Sequence, residues 1–285
     1  MSPRVALPLV EPANPVRLAL RRVVGRIACA LMPATARSLA AGDGPDPLRT
    51  VDRLMLSALR QQAARNGTLE AFTHLQQNRF WSSAAAADFH ATQEQYFDEW
   101  FLGHNLDLLT ELERALDGGS YSTLCELGCG SGKALDALSR RLPGMKNFIG
   151  IDLSPEQVRR NTLRFNDPRI RWVADDATRW IALNARPGWV FVSNNGVLEY
   201  VPLASVRQLF AQIAGRFAPA LISLCEPVGI SHDLEHDLMS MPYGSEHSFS
   251  HNYPHLLREA GFRLLHNSEI RRGNHRLLRI IAHAG

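Results

Sequence analysis

Hydrophobic positions beyond residue 120 follow two alternating periods, which indicates strands followed by helices. The apolar run from Tyr121 to Leu127 has strand character, and the leucines after Ser131 recur at helical spacing. Ser154 and Gln157 form a capping box that starts another helix. Repeated strand–helix units call for a doubly wound, mostly parallel α/β sheet that is covered on both faces. Further strands are predicted near 170–175, 189–193, 220–226, 262–265 and 277–282.

The chain before residue 120 has a helical pattern. From Val51 onward apolar residues recur at i, i+3, i+4, i+7 and i+8, and more helices are predicted over Leu69–Phe80 and from Thr92 to Leu116. Eight aromatic residues between Phe72 and Phe101 make this region a candidate lid. We therefore expect an N-terminal extension and linker (1–47), a helical lid or cap region (48–119) and the α/β domain (120–285).

The extension contains a basic amphipathic helix, for which Asn14 and Pro15 are a suitable start. Such a helix could bind an anionic membrane or act as a targeting peptide. We favour packing on the core or covering of the site, because the uninterrupted apolar stretch of a signal peptide is missing. The stripe consists of Val16, Leu20, Val23, Val24, Ile27 and Leu31, with Arg17, Arg21, Arg22 and Arg26 off it.

A glycine-rich turn joins the first predicted strand to its helix. Residues 124–132 read LCELGCGSG, so Gly128, Gly130 and Gly132 are available for a tight turn and a close approach of a ligand to the backbone. A dinucleotide fingerprint needs a glycine at position 133, which is Lys133. The spacing is therefore GxGxG and favours a different nucleotide-type cofactor.

Two carboxylates indicate the kind of ligand. Glu126 precedes the glycines and would repel a phosphate but attract an ammonium group. Asp152 ends the next apolar segment, where an acid accepts hydrogen bonds from ribose hydroxyls. An adenosine that carries a positively charged amino-acid tail fits both acids.

The motifs ELGCGSG, IDLSPEQV, VADDA and VSNNGVLEY, in this order, resemble those of the class I S-adenosylmethionine-dependent methyltransferases. The likeness covers roughly residues 120–285 and implies a seven-stranded Rossmann-like sheet. It implies that Glu126 and the glycine loop face the methionine half of S-adenosylmethionine, that Asp152 holds the ribose, and that Asp176 meets the adenine. Two positions depart from the family pattern: Asp175 replaces a glycine, and Val190 replaces an acid. The expected cofactor-binding residues are Glu126, Gly128, Gly130, Gly132, Asp152, Leu153, Asp176, Ala177 and Asn194.

Candidates for the chemistry come from the lid and from the strand ends. We expect Tyr96, Asn195 and Glu226 to be catalytic, and we expect Trp100 or the pair Phe80-Trp81 to reach the pocket. Glu226 could equally be an exposed acid at a strand end. Five histidines between His232 and His255 have spacings that can bind zinc, but no ligand set is complete, so no metal is predicted. His251 or Tyr253 is expected to line the mouth of a substrate loop over 229–250.

Composition narrows the classes of function. The net charge of +3 is too small to indicate nucleic-acid binding, and no apolar stretch is long enough to span a membrane. The four cysteines suggest reduced thiols, so we expect a cytoplasmic protein without a nucleic-acid partner. The oligomeric state is left open.

Three functions are considered. The first is methyl transfer from S-adenosylmethionine to a small-molecule acceptor, in bacterial specialised metabolism. The second follows from a similarity in layout to azetidine synthases: the amine of S-adenosylmethionine attacks its own γ-carbon, which gives azetidine-2-carboxylate and methylthioadenosine. The third is a binding module without catalysis, which the intact acids and glycines disfavour.

Overall fold

The computed structural model describes residues 14–285 except 46, 95, 96, 98–100, 102, 120, 245–247, 273 and 274. Backbone contacts divide this part of the chain into two compact units. The described residues up to Ala86 and the segment Pro242–Ser248 form the first unit, and Ala87–Met241 with Phe249–Gly285 form the second. The three-part division drawn from the sequence stays a prediction.

The first unit is helical. Its first helix begins where the sequence predicts, because the side chain of Asn14 accepts hydrogen bonds from the N–H groups of Val16 and Arg17. Leu39, Met55 and Phe72 lie in its buried core. This first helix packs within the unit through its buried residues Gly25 and Ala28, whereas its apolar stripe is exposed. The helices are α1 (Pro15–Leu31), α2 (Pro33–Ala40), α3 (Thr50–Arg65) and α4 (Leu69–Trp81).

The second unit contains a seven-stranded sheet in the order β3-β2-β1-β4-β5-β9-β8. Strands β1 to β5 are parallel, and β9 is antiparallel to both β5 and β8. The predicted fold class is thereby confirmed, and the last two predicted strands form an antiparallel hairpin. The strands are β1 (Thr123–Leu127), β2 (Asn147–Asp152), β3 (Ile170–Ala174), β4 (Trp189–Asn194), β5 (Ala220–Gly229), β8 (Arg263–Arg272) and β9 (His275–Ala284), while β6 (Met241–Tyr243) and β7 (Ser248–Ser250) form a separate two-stranded sheet.

Helices cover both faces of the large sheet, which explains why its central strands are apolar at nearly every position. Leu124 and Val192 face the cluster that contains leucines of α6 and α7, whereas Leu127 and Phe191 face the cluster that contains α10. The remaining helices of the chain are α5 (Ala84–Gln93), α6 (His104–Leu116), α7 (Lys133–Arg141), α8 (Pro155–Arg164), α9 (Ala177–Asn184), α10 (Leu203–Arg216) and α11 (Tyr253–Glu259).

The strand order reverses between β1 and β4, and open α/β sheets bind ligands at the carboxyl ends of the strands at such a point. The predicted helix from Thr92 to Leu116 corresponds to the end of α5 and to α6, with several residues between them outside the described part. Strands β8 and β9 are longer than predicted. Among the described residues, no helix has the length and apolar character needed to cross a membrane.

Candidate functional site

The glycine loop leaves β1 in a conformation that side chains rarely adopt. Gly128, Gly130 and Gly132 have φ values of 61°, 47° and 75°, in the left-handed region. A Cβ on Gly128 would lie 2.7 Å from the methyl groups of Val197, so this glycine is also required by close packing. The loop then passes into α7, which begins at Lys133.

Asp152 is attached to this loop by hydrogen bonds. It is the last residue of β2 and is almost fully buried. Its Oδ2 accepts from the N–H of Gly130 at 2.9 Å, and its Oδ1 accepts from the N–H of Ser154 at 2.9 Å. Burial raises the pKa of Asp152, and the neighbouring His90 opposes that rise. The structure therefore brings the second predicted acid against the middle glycine of the loop.

Glu126 lies inside β1 and is 2% exposed. Its Oε2 has no hydrogen-bond partner among the residues that the structure describes. Burial raises its pKa well above the usual range, and the negative charge of Asp152 raises it further. A buried acceptor without a partner is costly, so this oxygen is suited to a donor that the ligand supplies.

His90 is a site residue that the sequence did not reveal. A Cβ on Gly130 would lie 3.0 Å from the imidazole ring of His90, so the ring packs directly on the bare backbone there. Burial lowers the pKa of His90, while Asp152 and Glu94 raise it. A lone histidine in a helical segment carries no signal of such a contact, because 40 residues separate it from Gly130.

Ion pairs hold the segment around His90 against the helices that flank the glycine loop. Asp88 pairs with Arg160 of α8 at 3.0 Å, and Glu94 pairs with Arg164 of α8 at 2.6 Å. Lys133, the first residue of α7, donates to the backbone carbonyl of Glu94 at 3.1 Å. The end of α5 is therefore tied to both sides of the loop.

The end of β4 contributes amide side chains. Asn194 Oδ1 accepts from Asn105 Nδ2 at 3.4 Å, and Asn105 Oδ1 is buried without a partner among the described residues. Asn195 adopts a left-handed φ of 63°, and its N–H donates to the carbonyl of Cys225 at 2.7 Å. The predicted pair Asn194 and Asn195 therefore lies at the carboxyl edge of the sheet, beside the start of α6.

Glu226 is fully buried in β5, so the alternative that it is an exposed acid is wrong. Its carboxylate accepts from Ser193 Oγ at 2.5 Å and from the N–H groups of Val197 and Leu198, each at 3.1 Å. Burial raises its pKa to about 7, against these hydrogen bonds. Glu226 thus holds the loop that follows β4, and its expected catalytic role stays a prediction.

The remaining expected cofactor residues follow β2 and β3. Asp176 caps α9, because its Oδ1 accepts from the N–H of Arg179 at 2.8 Å and from Thr178 Oγ1 at 2.5 Å. Leu153 is half-buried beside Asp152, and Ala177 is the first residue of α9. The expected catalytic residue Tyr96 and the lid residue Trp100 lie outside the described residues.

Within the histidine-rich segment, His251 has a structural role. His251 Nε2 contacts the carbonyls of Leu198 and Val201 at 3.1 and 3.0 Å, and burial lowers its pKa to about 4. Because both His251 and Tyr253 are fully buried, they do not line an open mouth, and that prediction is wrong. No group of three metal-ligating side chains occurs in the described part of the chain, and His247 lies outside it.

The geometry agrees with the comparisons to known proteins. The methyltransferase domain family matches residues 124–220, which run from β1 to the start of β5. No curated protein sequence matches the chain.

Several solved structures share the fold. Magnesium protoporphyrin IX methyltransferase from Synechocystis PCC 6803, solved with bound S-adenosylmethionine, aligns with a TM-score of 0.50 at 13% identity, over 74% of this chain and 97% of that one. The methyltransferase bound to the Haloferax volcanii Trm112 activator aligns with a TM-score of 0.51 at 18% identity, over 70% and 94% of the two chains. A Leishmania major S-adenosylmethionine-dependent methyltransferase gives a TM-score of 0.50 at 13% identity, over 69% and 81%.

The sheet order, the glycine loop with its two acids and the domain match define an enzyme of the methyltransferase class. Residues 124–220 match a methyltransferase domain, and the fold, the glycine loop and the two acids indicate a class I S-adenosylmethionine-dependent methyltransferase with S-adenosylmethionine as its cofactor.

Proposed function

We propose that this enzyme transfers the methyl group of S-adenosylmethionine to a small-molecule acceptor, and that Glu126 and Asp152 bind opposite ends of the cofactor. The buried Glu126 carboxylate carries this proposal, since its Oε2 lacks a partner within the described chain. A buried carboxylate with one oxygen left without a partner is costly, and a cation bound to that oxygen would offset the cost. The ammonium group of the methionine half is such a cation.

Asp152 is suited to the ribose. Its two oxygens accept one backbone hydrogen bond each, from Gly130 and Ser154, and a carboxylate oxygen has a further lone pair for a hydroxyl group. Those hydrogen bonds also fix the direction of the carboxylate relative to the loop. Leu153, Ala177 and Asp176 follow at the neighbouring strand ends, where the adenine would lie, and Asp176 retains one oxygen besides the one that caps α9.

S-adenosylmethionine supplies a methyl group that its positive sulfur already activates. The protein therefore needs to align an acceptor nucleophile with that methyl group, exclude water and receive the proton that the acceptor loses. In this proposal, Asn194 and Asn195 orient an acceptor at the end of β4. Glu226 holds the backbone of their loop, and Tyr96 is the proposed contribution from the lid.

A product analysis tests the proposal. Purified enzyme is incubated with S-adenosylmethionine alone and then with panels of small amines, phenols and acids, and the nucleoside product is identified. S-adenosylhomocysteine that forms only when an acceptor is present supports methyl transfer. Methylthioadenosine without any acceptor would instead establish the intramolecular cyclisation and overturn the proposal, as would turnover on nucleic acid alone.

A further inference from the structure

Helix α1 packs through its small residues. Gly25 and Ala28 are its buried positions, and α1 lies against α3 in the first unit. A Cβ on Gly25 would clash with the backbone carbonyl of Leu54 in α3. The glycine therefore selects the contact face, since only a residue without a side chain permits this approach of the two backbones.

The large aliphatic residues of α1 point the other way. At 100° per residue, the buried position Gly25 lies about 150° from the centre of the aliphatic stripe. A surface helix normally buries such a stripe. Contiguous exposed apolar surface marks an interaction site. The stripe residues are 40% to 77% exposed and comprise Val16, Leu20, Val23, Val24, Ile27 and Leu31.

The charges of α1 are all positive. The helix contains four arginines and no acidic residue. Arg17 and Arg26 are exposed and lie on the two borders of the stripe, whereas Arg21 lies nearer α3 and donates to the backbone carbonyl of Arg53 at 3.2 Å. An apolar band with a cation on each border is complementary to a surface that is apolar inside and anionic at its rim.

We propose that α1 docks the enzyme on the surface of an anionic lipid bilayer. The aliphatic stripe enters the boundary between headgroups and acyl chains, and Arg17 and Arg26 remain at the level of the lipid phosphates. The composition of the stripe favours lipid over a protein groove, because it contains only Val, Leu and Ile and none of the Trp, Tyr or Arg anchors typical of protein interfaces. The helix presents this face along all of its 17 residues, which suits a flat, continuous surface.

Vesicle binding of the full chain tests the proposal. Co-sedimentation is measured with phosphatidylcholine vesicles and with vesicles that contain about 30% phosphatidylglycerol. We expect binding to the anionic vesicles that is about tenfold or more tighter than to the neutral ones, and that weakens in about 0.5 M salt.

Variants locate the binding face. Leu20→Glu with Ile27→Glu should abolish vesicle binding, and Arg17→Gln with Arg26→Gln should remove the preference for anionic lipid. A matched control, Leu163→Glu with Leu183→Glu, changes two exposed leucines of the second unit and should leave binding intact. Circular dichroism and Tm should not change in any of these variants, since every substituted side chain is exposed or at the border of the stripe.

Three results would overturn the assignment. The first is wild-type protein that does not bind anionic vesicles. The second is a stripe variant that binds as well as the wild type. The third is a concentration-dependent dimer that the stripe variant converts to a monomer while vesicles remain unbound, which would make a second copy of the chain the occupant of this face.

Discussion

Replacing Glu126 by glutamine should have opposite effects on cofactor binding and on stability. Glutamine keeps the shape of the side chain but cannot carry a negative charge. A hydrogen bond to a charged group contributes about 1.5–3 kcal/mol net, so loss of the charge should weaken binding of S-adenosylmethionine about 10- to 100-fold. S-adenosylhomocysteine has the same ammonium group without the sulfonium, so its affinity should fall by the same factor.

The stability of the unliganded protein should change with pH in the other direction. Burial raises the pKa of Glu126 above 4.5 in the folded protein, so the folded state binds more protons than the unfolded state once the pH exceeds 4.5. Wild-type stability therefore declines as the pH rises through the raised pKa. A glutamine side chain does not titrate, so the free energy of unfolding of the Glu126→Gln variant should increase relative to that of the wild type as the pH rises.

Calorimetric titration gives the affinities, and urea unfolding at several pH values gives the stabilities. Glu235→Gln is the matched control, because Glu235 is exposed and its substitution should alter neither quantity. Wild-type affinity in the Glu126→Gln variant would refute the ammonium assignment. A loss restricted to S-adenosylmethionine would instead show that the carboxylate recognises the sulfonium.

Other substitutions test the rest of the structure. Asp152→Ala should weaken binding of S-adenosylmethionine by ~1–3 kcal/mol in calorimetry, and an unchanged affinity would remove the ribose assignment. The pKa of Glu226 is about 7 in the folded protein against 4.5 for a free glutamate, so its contribution to stability is complete below pH 4.5 and is lost as the pH rises to 7. In urea unfolding, Glu226→Gln should remove about 3 kcal/mol of this decline. Equal dependence of the unfolding free energy on pH in both proteins would contradict the expectation. Gly25→Ala should destabilise the protein by about 1–3 kcal/mol through its clash with α3, whereas Gly215→Ala, which meets no neighbouring atom, should be neutral or slightly stabilising in the same assay.

The local sequence pattern was sufficient to predict the sheet and the edge of the sheet where the ligand binds. Strand and helix periods, together with the glycine turn, predict the order of elements, and the rule that parallel strands share one carboxyl edge places Glu126 and Asp152 together. The element types and the turn depend on residues only a few positions apart, so the local sequence is enough to predict them. The exact ends of β8 and β9 were missed, because pairing between distant strands decides where a strand stops.

Contacts between distant segments account for what the pattern could not show. His90 contacts Gly130 because ion pairs to α8 hold the segment around it. Glu226 positions the loop after β4 because its buried carboxylate accepts hydrogen bonds from Ser193 and from the N–H groups of Val197 and Leu198. The direction in which α1 faces is the clearest case. Its amphipathic pattern predicts a buried stripe, yet Gly25 allows a closer backbone approach to α3 than the large aliphatic residues would, so the small face is buried and the apolar face is left exposed.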